Sequence, residues 1–343
     1  MWGMRRFLIA PDSFKGTFDA AAVAEAIAAG VEEGGDEADR CPVADGGEGT
    51  MAVLLRALGG ERRRAPAHDP LRRPIEAEYA LLGNGETAVV EMAQASGLSL
   101  VEPGERDAER ADTFGTGELI VAAVASGAKR VLVAVGGSAT TDGGRGALEA
   151  LRQSEAAFVL GTPERQQRTN AEGVRIEVLC DVRTAFEGAA RVFAPQKGAD
   201  AAAVARLTAR LDEFAAELPR DPRGVPMTGC AGGLSGGLWA YGAELRPGAE
   251  FVLDAIDFDA RLDRADAVIS GEGRFDSQSL EGKIVSAVAD RCADASKPLH
   301  LIVGQDGAPS NPPTGVASIT EASSLEAIQQ TAAQIARCVA GSA

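Results

Sequence analysis

Lysine is scarce in this chain, and most of its lysines lie beside glycine. Only five of the 34 basic residues are lysine, at positions 15, 129, 197, 283 and 297. Three of them, Lys15, Lys197 and Lys283, are next to a glycine in the sequence. A compact ammonium group beside flexible backbone suits the neutralisation of a phosphate or a carboxylate. The pattern therefore predicts an anion site, with compositional drift in an arginine-rich chain as the alternative.

Four aspartates, Asp45, Asp142, Asp181 and Asp276, lie in predicted loops. Phosphoryl transfer uses carboxylates to hold Mg²⁺ and to accept a proton from the attacking hydroxyl. Asp181 ends a predicted strand in a loop of small residues, so we predict that it is the general base. Asp45 and Asp276 are predicted to hold Mg²⁺ or to orient phosphates. The alternative for each aspartate is a turn or helix-capping role.

A glycine- and hydroxyl-rich segment follows the apolar run at 130–136. Free backbone amides and hydroxyls at the start of a helix form a natural phosphate cradle. The residues predicted to bind phosphates of the cofactor here are Gly136, Gly137, Ser138, Thr140 and Thr141. A tight turn with hydroxyl capping is the alternative. The chain has no G-x-x-x-x-G-K-[ST] run, and no G-x-G-x-x-G follows a strand, so the common nucleotide-binding motifs are excluded.

Alternating strands and helices must position these residues. Apolar runs at 6–10, 130–136, 177–182 and 265–271 predict buried strands, and the stretch at 19–32 predicts a helix. Ligands of open α/β sheets bind outside the carboxyl ends of the strands, where most of the glycine clusters fall. Four further residues of these clusters are predicted to contact the substrate or its phosphate: Ser13, Gly46, Gly47 and Arg274.

The two ends of the chain share a simple alternation of predicted strands and helices, whereas the middle contains proline-rich and hairpin-like segments. The predicted fold class is α/β, with a doubly wound, flavodoxin- or Rossmann-like parallel-sheet domain. That domain would be discontinuous, formed by residues 1–60 and 263–343. Residues 61–262 would form an inserted mixed α/β domain, with the active site in the cleft between the two.

Composition narrows the range of partners. The chain has 34 basic and 50 acidic residues, a formal charge of −16, which argues against nucleic acid and an anionic membrane face. No apolar run approaches the roughly 20 residues of a membrane span. The five cysteines contain no CxxC pair, which fits neither a disulfide framework nor a zinc site. We therefore predict a cytoplasmic protein with a small-molecule substrate, and the sequence leaves a homo-oligomer open.

A series of sequence segments occurs in this chain in the same order as in a known family. They are APDSFKGT, VADGGEGT, SGLSLV, TFGTGELI, VGGSATTDGG, CDV with FAPQKGA, CAGGLSGGL and ISGEGRFDSQSLEGK. In this order the chain resembles the type I glycerate kinases, from residue 6 to about residue 290. The resemblance implies an enzyme that uses ATP and Mg²⁺ to phosphorylate D-glycerate, with 2-phosphoglycerate as the product. It also implies two domains with the active site between them.

Under this interpretation Lys15, Lys197 and Lys283 neutralise the glycerate carboxylate and the transferring phosphoryl group. One departure lies after Asp181, where Val182 is followed by Arg-Thr-Ala instead of the Asn-Pro pair usual in the family. Two alternatives stay open: a kinase for another small sugar acid, and a catalytically inactive ligand-binding relative. The departure would favour the second if it disables the site.

Overall fold

The computed structural model describes residues 4–154, 173–275, 283–307 and 315–341. Internal contacts divide the chain into two compact units. Unit 1 comprises Met1–Asp45 and Ala249–Ala343, and unit 2 comprises Gly46–Gly248. Unit 2 is therefore one continuous segment inserted into unit 1. Both junctions lie before the predicted boundaries at residues 60 and 262.

The described residues form eleven strands, numbered along the chain: β1 (Arg6–Pro11), β2 (Glu37–Arg40), β3 (Gly60–His68), β4 (Pro74–Leu82), β5 (Thr87–Glu91), β6 (Arg130–Val135), β7 (Arg175–Cys180), β8 (Glu244–Pro247), β9 (Ala267–Glu272), β10 (Leu299–Val303) and β11 (Val316–Glu321). The described α-helices span Ala20–Glu33, Thr50–Leu58, Ala93–Ser96, Phe114–Ala125, Arg145–Gln153, Ala189–Phe193, Ala201–Glu217, Leu234–Ala240, Gly248–Ala255, Phe258–Leu262, Ile284–Asp294 and Leu325–Gly341. Within this part of the chain no helix combines the length and the apolar character needed to cross a bilayer.

Unit 1 is built on a parallel sheet whose described strands follow the order β11-β10-β9-β1-β2. The apolar residues of β1, from Phe7 to Ala10, are all fully buried, as expected for a parallel strand covered on both faces. Phe7 lies opposite Ala38 of β2 and Ala267 of β9. Because the strands are parallel, the carboxyl ends of β1, β9 and β10 meet at one edge of the sheet.

Unit 2 contains a mixed sheet with the order β3-β4-β5-β6-β7-β8 among its described strands. The pairs β3–β4 and β4–β5 are antiparallel, and β5 to β8 run parallel. The predicted α/β class, with one parallel sheet and one mixed sheet, is confirmed. The predicted site residues of unit 2 lie mostly at the carboxyl ends of β6 and β7.

The helix Thr50–Leu58 lies in unit 2, although the sequence pattern grouped it with the first domain. Its first turn is held by Glu91, the last residue of β5. One carboxylate oxygen of Glu91 accepts hydrogen bonds from the backbone N–H of Gly49 at 3.0 Å and of Met51 at 2.7 Å. A buried carboxylate at a helix N-terminus satisfies amides that would otherwise lack a partner. This contact fixes the helix to the mixed sheet.

Candidate functional site

A cavity of about 600 Å³ lies within unit 1, next to the carboxyl ends of β1, β9 and β10. Five of the residues predicted from the sequence line it: Ser13, Lys15, Asp45, Arg274 and Lys283. They come from three separate stretches of the chain, so the parallel sheet brings them together. Three of the five carry positive charge, which is the arrangement expected for a phosphate-bearing ligand. Asp276, predicted as a Mg²⁺ ligand, lies outside the described residues.

Lys15 and Asp45 form an ion pair at this cavity. The Lys15 Nζ donates to Asp45 Oδ2 at 3.2 Å, and the Lys15 side chain is 61% exposed while Asp45 is buried. Lys15 lines the cavity with an exposed side chain, so its ammonium is accessible to an incoming anion.

Two further carboxylates of the cavity were missed by the sequence analysis. Asp12 directly follows β1, Glu272 ends β9, and both are buried. Burial raises the pKa of the Asp12 carboxyl to about 8, and the negative charges of Asp45 and Glu272 add to this effect. Both positions directly follow or end an apolar strand, which is the signal that could have identified them. The charges of Asp45 and Glu272 disfavour the ionised form of Asp12, and a bound cation would offset this effect.

Oxygen donors of this kind suit Mg²⁺, which is held in proteins by one or two carboxylates together with water and phosphate oxygens. Asp12, Asp45 and Glu272 supply that donor chemistry on the cavity wall. Within residues 4–154, 173–275, 283–307 and 315–341, no group of three or more such side chains is arranged to hold an ion by itself. The donor set thus fits a metal that shares its coordination with a phosphate, not a closed protein cage.

Two glycine-rich loops of unit 2 lie directly against each other. The backbone N–H of Val135, at the end of β6, donates to the carbonyl of Gly46 at 3.1 Å. A Cβ atom placed on Gly136 would lie 2.7 Å from the Cα of Gly47, closer than real Cβ contacts allow. Only glycine at position 136 permits this approach. Gly46, Gly47 and Gly136, all predicted site residues, are therefore brought together.

Lys197 lies beneath the loop that follows Gly136. Its side chain is 1% exposed, and its Nζ donates to Ser138 Oγ at 2.8 Å and to the Thr140 carbonyl at 2.5 Å. Burial lowers the pKa of the Lys197 ammonium to about 7, and the charges of Asp142 and Asp181 oppose this shift. The Lys197 ammonium therefore faces the loop and not the solvent.

The loop itself divides into an accessible and a buried part. Gly137 is exposed and Ser138 is half-buried, whereas Thr140 and Thr141 are fully buried. Within the described part of the chain, the hydroxyl oxygens of both threonines have no hydrogen-bond partner. The carbonyl of Thr141 accepts a hydrogen bond from Arg210 at 3.0 Å. In this structure a ligand would reach Gly137 and Ser138 but not the threonine hydroxyls.

The remaining two aspartates of the sequence analysis differ in their surroundings. Asp181 directly follows β7, is half-buried, and lies close enough to Lys197 to act on its pKa. Asp142 is buried and accepts hydrogen bonds from the backbone amides of Thr113, Gly144 and Gly146 and from the Thr113 hydroxyl, at 2.8–3.1 Å. These contacts join two loops and the first turn of the helix Arg145–Gln153. Asp142 thus has the capping role, whereas the role of Asp181 as general base stays a prediction.

Known proteins similar to this chain indicate the family to which it belongs. The model of the glycerate kinase family matches residues 7–341. A glycerate 2-kinase of Escherichia coli is 38% identical over 323 residues, which cover 87% of this chain and 85% of that protein. A glycerate kinase of Bacillus subtilis is 40% identical over 333 residues, covering 89% and 86%. The crystal structure of a protein assigned as glycerate kinase 2 from Salmonella typhimurium superposes with a TM-score of 0.78 at 34% identity, over 99% of both chains.

Proposed function

This chain belongs to the glycerate kinase family, and we propose that it is an ATP-dependent kinase that phosphorylates D-glycerate, with Mg²⁺ as cofactor and 2-phosphoglycerate as product. The observation that carries the proposal is the cavity of unit 1, where three cationic side chains face buried carboxylates. Phosphoryl transfer depends on such positioned charge, because the transition state spreads negative charge over the phosphate oxygens. The predicted cytoplasmic location and any homo-oligomer stay predictions.

The cavity of unit 1 suits the phosphate groups and their metal. Lys15, Lys283 and Arg274 would neutralise phosphate oxygens, and a volume of about 600 Å³ is within the usual range for small-molecule sites. Asp45, with Asp12 or Glu272, would hold Mg²⁺. When bound, the metal would neutralise charge on the phosphates and orient them. Asp276 stays a proposed further ligand on the strength of the sequence motif.

The residues of unit 2 would act in the same reaction by contacting the acceptor hydroxyl and the phosphates. Asp181 would accept the proton of the attacking hydroxyl, for which a carboxylate at a strand end is suited. Gly137 and Ser138 would bind an anionic oxygen at the accessible part of their loop, and the buried Gly136 would allow the close approach of Gly47 beside it. The segment after Asp181 is held in place, since the Arg183 and Thr184 carbonyls accept hydrogen bonds from the Met227 and Gly229 amides at 3.1 and 2.9 Å. An active enzyme and an inactive relative are distinguished by the turnover assay.

The function is tested by incubating the purified chain with ATP, MgCl₂ and D-glycerate while ADP is followed by a coupled assay. We expect ADP formation that requires D-glycerate, and a proton–phosphorus NMR correlation that joins the new phosphate to the C2 proton of the product. Parallel reactions with L-glycerate and with four- to six-carbon sugar acids define the acceptor. Faster turnover with one of those acids, or no turnover with any acceptor, would contradict the proposal.

Replacing Lys15 by arginine is expected to lower kcat/KM by more than tenfold. The variant keeps the charge but replaces a compact ammonium, which contacts Asp45 at 3.2 Å, with a wider and planar guanidinium group. Lys129→Arg is a matched control, because Lys129 is 60% exposed and pairs with Glu86 at 2.7 Å outside the candidate site. Steady-state kinetics of both variants provide the measurement. Equal tolerance at the two positions would show that the scarcity of lysine carries no functional information.

A further inference from the structure

We propose that Lys197 is a positioning residue, whose buried ammonium turns the Ser138 hydroxyl toward an anionic oxygen of the bound substrate. The proposal rests on the proposed function and refines it, because it moves the contact with the ligand from the lysine to the serine. The anionic oxygen belongs to a phosphate of the nucleotide or to the carboxylate of glycerate. Both groups accept hydrogen bonds in the same way.

The direction of the hydroxyl follows from the chemistry of the two groups. When Lys197 is protonated, as it would be beside a bound anion, its ammonium has three donor hydrogens and no acceptor, so the Ser138 oxygen accepts in their 2.8 Å contact. Its own hydrogen is therefore directed away from the lysine. Within the described part of the chain this hydroxyl donates to no protein acceptor. Ser138 is half-buried beside the exposed Gly137, so the free hydrogen is available at the accessible part of the loop.

The second contact of Lys197 keeps the loop in this conformation. Its Nζ donates to the Thr140 carbonyl at 2.5 Å, so one ammonium spans Ser138 and Thr140. Gly232 also packs closely against this carbonyl, because a Cβ on Gly232 would lie 2.1 Å from the Thr140 oxygen. Two contacts thus restrain the loop at Thr140. Ser138 can then present its hydroxyl without losing further conformational freedom when a ligand binds.

The cost of burying Lys197 argues for a ligand. A buried ammonium is expensive unless a carboxylate or another anion compensates it. Within the described residues no carboxylate oxygen lies at hydrogen-bond distance from this Nζ, and Asp142 and Asp181 act on it only at longer range. Burial accordingly lowers the pKa of Lys197 to about 7. An anion bound at Ser138 would favour the charged form and supply the missing compensation.

A double-mutant cycle tests the proposal. Ser138→Ala, Lys197→Met and the double variant are compared in kcat and in the KM values for ATP and for D-glycerate. We expect each single change to lower kcat/KM by about 10–100-fold, the range of one hydrogen bond to a charged group. The double variant should be no worse than Lys197→Met within about threefold, since residues that act as a unit are non-additive. A rise confined to the KM for ATP assigns the phosphate, and one confined to D-glycerate assigns the carboxylate.

Further variants separate positioning from a structural role. Ser138→Thr keeps a hydroxyl and should recover most of the activity lost in Ser138→Ala. Ser154→Ala removes a half-buried hydroxyl that donates to the Leu151 carbonyl at a helix end, and it should leave the kinetics unchanged. If Lys197→Met does not fold, the serine variants still decide whether the hydroxyl binds substrate. Should the wild type itself lack turnover, the proposed function fails. Calorimetric titration of wild type and Ser138→Ala with ATP, and separately with D-glycerate, then tests the contact alone.

Two results would overturn the proposal. In the first, Ser138→Ala keeps wild-type kinetics, or keeps wild-type affinities for both titrants. In the second, the losses of the single variants multiply in the double variant, which would mean that Lys197 acts independently of the serine.

Discussion

Asp181→Asn is expected to lower kcat by about 10²–10⁴-fold while the protein stays folded, because general-base catalysis commonly contributes a factor of this size. The amide cannot accept the proton of the attacking hydroxyl. Asp181 follows β7 and is half-buried, so the substitution removes a charge without emptying a cavity. The measurement is the steady-state rate with saturating MgATP and D-glycerate, together with the melting temperature and the affinity for ATP, both expected to stay near wild type.

The control is Asp221→Asn, in the same unit. Asp221 is exposed and pairs with Arg223 at 2.7 Å, so its loss should leave kcat unchanged. Wild-type turnover in Asp181→Asn would remove Asp181 from the mechanism. The search for the base would then turn to the other carboxylates of the candidate site.

The strands that carry the candidate site could be predicted because each is an unbroken apolar run. Residues 6–10 correspond to β1, and 130–136 to β6, as parallel strands buried on both faces require. The junctions between the two units could not be predicted in the same way. The helix Thr50–Leu58 joins unit 2 through Glu91, more than 30 residues later in the chain. No local pattern encodes such a long-range contact.

The candidate site likewise contains residues that the sequence could predict and residues that it could not. Lys15, Asp45, Arg274 and Lys283 were predicted from residue type and neighbouring glycines, and they line one cavity. Asp12 was overlooked because an aspartate after proline is also typical of a turn. The burial of Lys197 was equally invisible, because a lysine beside glycine is ordinarily exposed. Burial depends on which segments pack over a residue, and a sequence motif does not record that.

The largest effect on stability is expected at Asp142, whose motif alone did not distinguish a cap from a catalytic carboxylate. Both carboxylate oxygens of Asp142 act as hydrogen-bond acceptors. In Asp142→Asn one of them is replaced by an amide nitrogen, which can only donate. Oδ2 accepts from Thr113 and Gly146, and Oδ1 accepts from Gly144. At least one buried N–H then loses its acceptor, and the remaining bonds lose their charge. Each such loss costs roughly 1–3 kcal/mol, so we expect the free energy of unfolding to fall by about 3 kcal/mol.

Urea denaturation followed by circular dichroism measures this difference, with Asp200→Asn as the matched control. Asp200 caps the helix Ala201–Glu217 by accepting from the Ala203 amide at 2.7 Å, and it is exposed. Asparagine caps a helix about as well as aspartate, so this control should lose less than about 0.5 kcal/mol. A kcat that falls more than tenfold in Asp142→Asn at unchanged stability would reverse the assignment. Asp142 would then act in the reaction itself. The loss of a carboxylate that only caps a helix is expected to lower activity through a loss of stability.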